Sequence, residues 1–283
     1  MSDRMTKKTV LPSKSACVAQ PTPLSCPAQQ DVEETSYEAL ASICTVLVVG
    51  LFILTFLCQN FVIPSGSMEK TLLIGDHLLV DRITLAPPAK WMPLVYYREP
   101  RRGDVVVFIK PVPDPDAQGK LQYLYLVKRL IGLPGDHIHM HNGVVIINGV
   151  PQPQPHAQPT TPENFSEFLD DFPAVPPYPQ PGGATESWAV AFPNYIQNGN
   201  LVVPPEMYFM MGDNRHDSLD SRFWGFVPRA DIIGRPLLNY WSFKSTESDY
   251  EQSGISDRLG WMAHVALHFF ADTRWKRTFH LIH

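Results

Sequence analysis

The sequence predicts a mostly β protein, an antiparallel β-sheet domain with one N-terminal transmembrane helix. Two observations predict it. An apolar stretch from Leu40 to Leu57 contains no charged residue, and short apolar segments bounded by turn residues follow from Phe61 onward. No strong helical pattern interrupts these segments before the C-terminus, which favours an antiparallel sheet over βαβ units. At 283 residues, the chain is long enough for such a domain to bury its own core.

The N-terminal part divides into a tail and an anchor. Residues 1–36 are polar and contain several prolines, which is typical of a disordered tail. Residues 37–60 have about the 20 apolar residues that a transmembrane helix needs. A cleaved signal peptide is the rival interpretation, but it has a short basic leader and an Ala-x-Ala-like exit. Here the leader is 39 residues long and the exit is Cys58-Gln59-Asn60-Phe61, so we expect a retained anchor.

Residues 61–258 are expected to form the β-domain. Strands are predicted around Asp76–Val80, Val105–Phe108, Tyr123–Ile131, Ile138–Ile146, Leu201–Val203 and Met207–Met211. Asn142-Gly143 lies within one alternating segment and predicts a β-hairpin. Residues 151–181 hold ten of the 28 prolines and cannot pair in a central sheet. They predict a surface insertion without a core of its own.

Residues 259–283 are predicted to form a C-terminal amphipathic helix. Apolar side chains recur every three to four positions over 259–270, and these 12 residues are too few to span a membrane. Trp261, Trp275 and nearby basic residues fit an interfacial helix, and a helix packed on the domain is the alternative. The net charge of −5 gives no basic surface for nucleic acid. The Lys and Arg residues near the apolar stretch do not decide its orientation.

A possible nucleophile lies just after the apolar stretch, in Ser65-Gly66-Ser67-Met68. A serine hydroxyl needs a neighbouring base to become nucleophilic. The alternating His137, His139 and His141 offer bases or metal ligands, although the exposed face of a hairpin explains them better.

Lys128 is the other candidate base, because it lies inside an apolar strand. A lysine accepts a proton only when it is neutral, and burial lowers its pKa. Strand geometry places Lys128 and Arg129 on opposite faces, so one of them points toward an apolar surface. An edge-strand lysine that limits aggregation is the alternative. The polar loop from Met211 to Arg222 follows a strand, and it lacks the ligand positions of a calcium loop.

Four blocks, taken in order, make the chain resemble bacterial type I signal peptidase. They are Ile63-Pro64-Ser65-Gly66-Ser67-Met68; Arg102-Gly103-Asp104 with Val105 to Phe108; Val127-Lys128-Arg129 with Gly132-Leu133-Pro134-Gly135-Asp136; and Gly212-Asp213-Asn214-Arg215 with Ser218-x-Asp220-Ser221-Arg222. The fold implied is the signal-peptidase-like antiparallel β-domain.

The resemblance also implies roles for individual residues. Ser67 would be the nucleophile and Lys128 the general base. Ser65 would complete the oxyanion hole beside the Ser67 backbone N–H. The orienting and structural residues would be Ser218, Asp220 with Arg222, and Asp213 with Arg129. The substrate-binding residues would be Phe61, Ile63, Met68, Leu126 and Val127.

The activity implied is a serine endopeptidase that removes N-terminal signal peptides from exported preproteins at Ala-x-Ala sites. The enzyme would be a single-pass protein of the cytoplasmic (inner) membrane, with residues 1–36 in the cytoplasm and the catalytic domain on the extracytoplasmic side. Its partners would be preproteins, membrane lipid and the protein-export machinery. The Ser-Lys dyad requires no metal and no organic cofactor.

The chain departs from the family's pattern at two positions, and two alternative functions are considered. Lys70 stands where the family usually has proline, and His216 stands where an acidic residue is common. Ser67-Met68-Glu69-Lys70 also matches the Ser-x-x-Lys of penicillin-binding proteins and β-lactamases, although the chain has no Lys-Thr-Gly. The remaining alternative is a non-catalytic, membrane-anchored β-domain that binds extended peptides.

Overall fold

The computed structural model describes residues 36–86, 97–115, 119–180, 183–251 and 254–282. The expected tail lies outside the described residues, apart from Ser36. The chain divides into two compact units, Met1–Thr45 and Val46–His283.

Helix α1 (Ser36–Phe52) continues into a π-helical turn at Ile53–Leu57. Within the described residues, Tyr37–Thr55 is the one helical stretch long and apolar enough to cross a membrane, with a mean hydropathy of 2.2. Strand β1 (Cys58–Val62) begins directly after the turn. Residues 58–60 therefore belong to the sheet, so the helix ends three residues before the expected anchor boundary at residue 60.

The remaining strands are β2 (Asp76–Asp81), β3 (Val105–Ile109), β4 (Asp114–Pro115), β5 (Leu121–Gln122), β6 (Tyr125–Gly132), β7 (His137–His141), β8 (Val144–Ile147), β9 (Val150–Pro151), β10 (Ile196–Gln197), β11 (Asn200–Val202), β12 (Met207–Met211), β13 (Val227–Pro228), β14 (Ile232–Ser242) and β15 (His280–Leu281). The remaining helices are α2 (Glu167–Asp170), α3 (Glu186–Ala191), α4 (Ser221–Trp224), α5 (Glu247–Glu251) and α6 (Ile255–Asp272). Short 3₁₀ turns lie at Gly66–Met68, Phe192–Tyr195 and Arg229–Asp231.

These strands pair antiparallel, which confirms the predicted fold class. The largest sheet has eight strands in the order β1-β2-β14-β3-β6-β12-β13, with β15 also paired to β14. A second sheet has the order β10-β11-β7-β8-β9. Its β7–β8 hairpin turns at Asn142 and Gly143, whose φ angles of 49° and 77° are both positive, as a two-residue primed turn requires.

The large sheet curls, so that its first strand approaches a strand from its middle. The rings of Phe61 on β1 and Tyr125 on β6 lie 5.4 Å apart, although three strands separate β1 from β6 in the sheet order. Among the described residues, β1 pairs only with β2, and residues 125–128 of β6 pair only with β3. Two free strand edges therefore border the space beneath these rings.

Two expected segments differ from the structure, one in its burial and one in its length. The proline-rich segment 151–181 is not only a surface insertion, because Phe172 is fully buried in the main core against Phe192 and Phe209. The predicted helix over 259–283 is also too long. Helix α6 ends at Asp272, and the chain then returns to the sheet as β15 and buries Ile282.

Candidate active site

The first part of the site is the turn that carries Ser65 and Ser67. Ser65 has an extended backbone and is exposed, and the 3₁₀ turn that follows buries Ser67 to 8% exposure. Asn214 holds the turn from the other side, since its backbone N–H donates to Ser67 O at 3.1 Å and its Nδ2 to Gly66 O at 3.2 Å. The turn is therefore fixed before any substrate arrives.

Lys128 reaches this turn from β6. Its Nζ donates to Ser67 Oγ at 2.5 Å, and its residue is only 4% exposed. Burial lowers the pKa of the Lys128 amine to about 8; Asp220 opposes this shift and Arg222 reinforces it. A neutral amine in contact with a hydroxyl can accept the hydroxyl proton.

The neighbouring Arg129 is buried on the opposite face and is fully paired. Its Nε and Nη2 donate to the two carboxylate oxygens of Asp213 at 2.8 and 2.7 Å, and its Nη1 donates to Gly103 O. Thr71 Oγ1 donates to Asp213 Oδ2 at 2.5 Å and accepts from Arg129 Nη2. This two-point pair fastens the 211–222 loop to β6.

A second buried pair lies within that loop. Arg222 donates through Nε and Nη2 to Asp220 at 2.9 and 2.8 Å, and both residues have no exposed surface. Burial raises the pKa of the Asp220 carboxyl, but the Arg222 charge and the hydrogen bonds from Arg222 and the Gly212 N–H lower it more, so the net shift is downward. Arg222 also donates to Arg215 O and Leu169 O, which ties the loop to the proline-rich segment.

Ser218 lies at the site without the expected contact. Its hydroxyl is buried and has no hydrogen-bond partner among the described residues. A side chain at Gly212 would collide with this hydroxyl at 2.3 Å and with Ser67 O at 2.5 Å. Glycine is therefore required where the loop passes both serines.

The residues expected to bind substrate do not all share one environment. Ile63 and Met68 are buried in one cluster, with Phe61 and Val127 half-buried against it. Leu126 packs instead on a second cluster built around Val106, Phe108 and Leu130, because neighbouring strand residues alternate between faces.

Lys70 and the strand histidines lie away from the nucleophile. Lys70 has a left-handed φ of 83°, and its Nζ donates to Ala157 O. Because only a 3₁₀ turn follows Ser67, the Ser-x-x-Lys helix is not formed. His137 and His141 are exposed and His139 contacts Asn200, as expected for the outer face of the hairpin.

Three further residues act on the site and were not predicted. Glu247 Oε1 accepts the Gly66 N–H at 3.0 Å, Thr71 bridges the Arg129–Asp213 pair, and His216 Nε2 contacts Asp170 Oδ2 at 2.9 Å. Glu247 is 181 residues from Gly66, and no local pattern marks it. Of the three, only His216 could have been noticed in the sequence. It replaces an acidic residue that is common in the family, and a basic side chain there requires a different partner, here Asp170.

Comparison with known proteins identifies the family of the chain. The family model described as "Signal peptidase, peptidase S26" matches residues 36–241. A probable signal peptidase I-2 of Synechocystis is 32% identical over 209 residues, covering 74% of this chain and 75% of that protein. A signal peptidase I of Leptolyngbya laminosa is 31% identical, covering 78% and 90% of the two chains.

A crystal structure of a signal peptidase I from Enterococcus faecalis is 27% identical, covering 49% of this chain and 97% of that one, with a TM-score of 0.27. The family model covers well over half of the chain and includes both Ser67 and Lys128. The chain therefore belongs to the signal peptidase family, peptidase S26.

Proposed function

We propose that this chain is a membrane-anchored serine endopeptidase that removes signal peptides from exported preproteins by a Ser67–Lys128 dyad. The observation that carries the proposal is the 2.5 Å contact between Ser67 Oγ and a lysine amine that is 4% exposed. Burial keeps a substantial fraction of this amine neutral near pH 8, and the contact puts it in reach of the proton it must remove.

The reaction follows from the roles that the groups can take. Neutral Lys128 accepts the Ser67 proton as Oγ attacks the scissile carbonyl, and the resulting ammonium donates that proton to the leaving amine. Water then attacks the acyl-enzyme, with Lys128 again as the base. Ser65 Oγ and the Ser67 N–H stabilise the oxyanion. This assignment is supported by the exposed Ser65 side chain and by the absence of any partner for the Ser67 N–H among the described residues.

The buried ion pairs and Ser218 position this machinery. Asp213 with Arg129, and Asp220 with Arg222, hold the 211–222 loop against β6. Ser218 orients the Lys128 amine by rotating its unpartnered hydroxyl toward Nζ during the reaction. An unpartnered buried hydroxyl costs free energy, so a transient partner beside it is favoured.

The substrate binds as an added strand between the free edges of β1 and β6. Main-chain hydrogen bonds to such edges hold an extended peptide without reading its sequence. Side chains then select small residues at the cleavage site, of the Ala-x-Ala type, because Ile63, Met68 and Val127 fill the space beneath the peptide. No metal or organic cofactor takes part in these steps.

Cleavage of a preprotein by the detergent-solubilised full chain tests the proposal. Ser67→Ala and Lys128→Ala each abolish cleavage, whereas Lys70→Ala, the matched lysine control, retains it. A folded Lys128→Ala protein with near-normal activity excludes the dyad. Loss of activity in Lys70→Ala supports the Ser-x-x-Lys alternative. Full activity in Ser67→Ala excludes Ser67 as the nucleophile, and a wild type that binds the preprotein without cleaving it leaves the peptide-binding β-domain.

The location follows from the substrate. The chain lies in the cytoplasmic membrane through Tyr37–Thr55, with residues 61–283 on the extracytoplasmic side, where translocated preproteins leave the export machinery. Anchoring raises the local concentration of a membrane-bound substrate. Single-cysteine variants that retain Cys17 or Cys26 test the orientation. Labelling of either tail cysteine by an impermeant thiol reagent in intact cells refutes it.

Helix α6 contacts membrane lipid in this arrangement. Its outward side chains Leu259, Leu267 and Phe270 are 61%, 81% and 80% exposed, so its apolar face points away from the protein. An apolar face of this kind lies stably in a lipid headgroup region. A fluorophore at Leu267→Cys, in a cysteine-free chain in bilayers, is quenched by spin-labelled lipid. The same label at Val190→Cys, 75% exposed on α3, serves as the control, and equal quenching at the two positions refutes the contact.

A further inference from the structure

We infer that the C-terminal half of helix α6 is a binding site for a divalent transition-metal ion, with His264, His268 and Asp272 as ligands. The inference is independent of the proposed peptidase function. The three residues follow one another at intervals of four, which places their side chains along one stripe of the helix. One ligand atom from each lies within 4.8 Å of the others, close enough for a single ion to bind all three.

The hydrogen bonds of the histidines leave the right atoms for a metal. His268 Nδ1 lies 3.1 Å from the His264 backbone carbonyl, which can only accept, so Nδ1 carries the proton. Its Nε2 therefore keeps a free lone pair. A ligating histidine usually donates its other ring N–H in this way, which fixes the ring and its tautomer.

The ligand atoms of His264 and Asp272 lie close to each other. His264 Nε2 lies 3.7 Å from Asp272 Oδ2, and the two imidazole rings stack with centroids 4.3 Å apart. Asp272 Oδ1 faces Lys244 Nζ at 3.5 Å, which leaves Oδ2 for the ion. His264 is half-exposed, so water can complete a four-coordinate shell. Two imidazoles, one carboxylate and one water suit Zn²⁺ better than the hard cations, which prefer a shell of oxygen ligands.

The site is fixed to the sheet rather than carried on a free helix end. Lys244 N donates to Asp272 O at 3.0 Å, and Trp241 Nε1 donates to Thr273 Oγ1 at 3.1 Å. The ring of His264 also contacts Phe243. Because these contacts hold the last turn of α6 in place, a bound ion would join His264 and His268 to that turn with little further ordering, and would stabilise the helix.

The hairpin histidines provide a matched contrast. The β7 strand also carries three candidate metal ligands, His137, His139 and His141. Among the described residues, however, only the α6 group brings three metal-binding side chains together. The three β7 histidines lie on the same face of the strand, but the extended backbone separates their side chains. His139 is in addition hydrogen-bonded to Asn200.

Calorimetric titration of Zn²⁺ into the full chain tests the site. The protein is prepared in detergent without a histidine tag and is first stripped with a chelator. The wild type should bind one Zn²⁺ per chain, and His268→Ala should weaken binding by at least about tenfold, the lower limit measured even for residues that only support metal ligands. The double variant His137→Ala/His141→Ala should bind as the wild type does.

Asp272→Asn adds a variant that keeps the shape of the side chain while removing its charge, and it should also weaken binding. Circular dichroism of each variant should match that of the wild type, which shows that the helix content of the chain is kept. No binding by the wild type, or unchanged binding by His268→Ala, overturns the inference. Loss of binding in the hairpin double variant assigns the zinc to β7 and overturns it equally.

Discussion

Replacing Lys128 with methionine should abolish cleavage and at the same time stabilise the protein. The Lys128 amine has a pKa of about 8 against 10.5 for an ordinary lysine, because the folded protein buries it. Below pH 8 the folded state must hold an ammonium ion in a site that disfavours charge. Methionine has a similar length and carries no charge, so it removes this cost.

The magnitude follows from the shift in pKa. The pKa falls from 10.5 to about 8, and this difference destabilises the folded wild type by roughly 3 kcal/mol. The cost applies in full well below pH 8, where Lys128 is charged in both the folded and the unfolded chain. Between pH 8 and 10.5 the unfolded chain binds more protons than the folded one, so the wild type becomes more stable as pH rises. The advantage of Lys128→Met should therefore shrink by roughly 1 to 2 kcal/mol between pH 6 and pH 9.

Urea unfolding of the detergent-solubilised full chain, followed by tryptophan fluorescence at several pH values, measures this difference. Lys70→Met is the matched control, because it makes the same substitution at an exposed lysine. The reasoning is refuted if the stability difference for Lys128→Met does not change with pH. It is also refuted if Lys70→Met shows the same change.

Three further predictions concern the same site. The pH–rate profile for cleavage should rise with a midpoint near pH 8, and Asp217→Asn should move the midpoint lower, since the Asp217 charge raises the pKa of Lys128; an upward shift contradicts this. Ser65→Ala should lower kcat by about 10²–10³ with little change in KM, the cost of one oxyanion donor, whereas a loss confined to KM assigns Ser65 to substrate binding. His216→Asp should set a second carboxylate against the fully buried Asp170 and lower stability by about 1–3 kcal/mol, with Asp170→Asn in the same chain restoring part of the loss; equal stability of His216→Asp and wild type refutes the pairing.

Local patterns in the sequence predicted most of the fold. Apolar alternation identified the strands, and Asn142-Gly143 identified a hairpin, because both signals depend on neighbouring residues. The curl that brings Phe61 to Tyr125 depends on the twist of the whole sheet, which no local pattern records. The same limitation explains the error at the C-terminus, since apolar residues after Asp272 fit a helix and a short edge strand equally well.

The residues of the candidate site also fall into those that the local sequence predicts and those that it does not. Lys128 was predictable because a lysine within an apolar strand conflicts with its surroundings, and such conflicts concentrate at functional sites. Glu247 was not predictable, because its contact with the Gly66 N–H joins residues 181 positions apart and its own segment is polar. The α6 metal ligands were predictable in principle from two intervals of four, but a search for apolar periodicity passes over polar residues.

The Asp220–Arg222 pair gives Lys128, the proposed base, a neighbourhood without net charge. An unpaired carboxylate near Lys128 would stabilise the ammonium form and raise the pKa of the amine, as the Asp220 charge does in part. Arg222 offsets that effect with its own charge, while its donors to Asp220, Arg215 O and Leu169 O hold the loop rigid. An aliphatic residue at position 220 would also add no charge that stabilises the ammonium form of Lys128, but it would forfeit the acceptor for the Gly212 N–H beside Ser67. A paired carboxylate therefore meets both demands at once, since it supplies hydrogen bonds without supplying net charge.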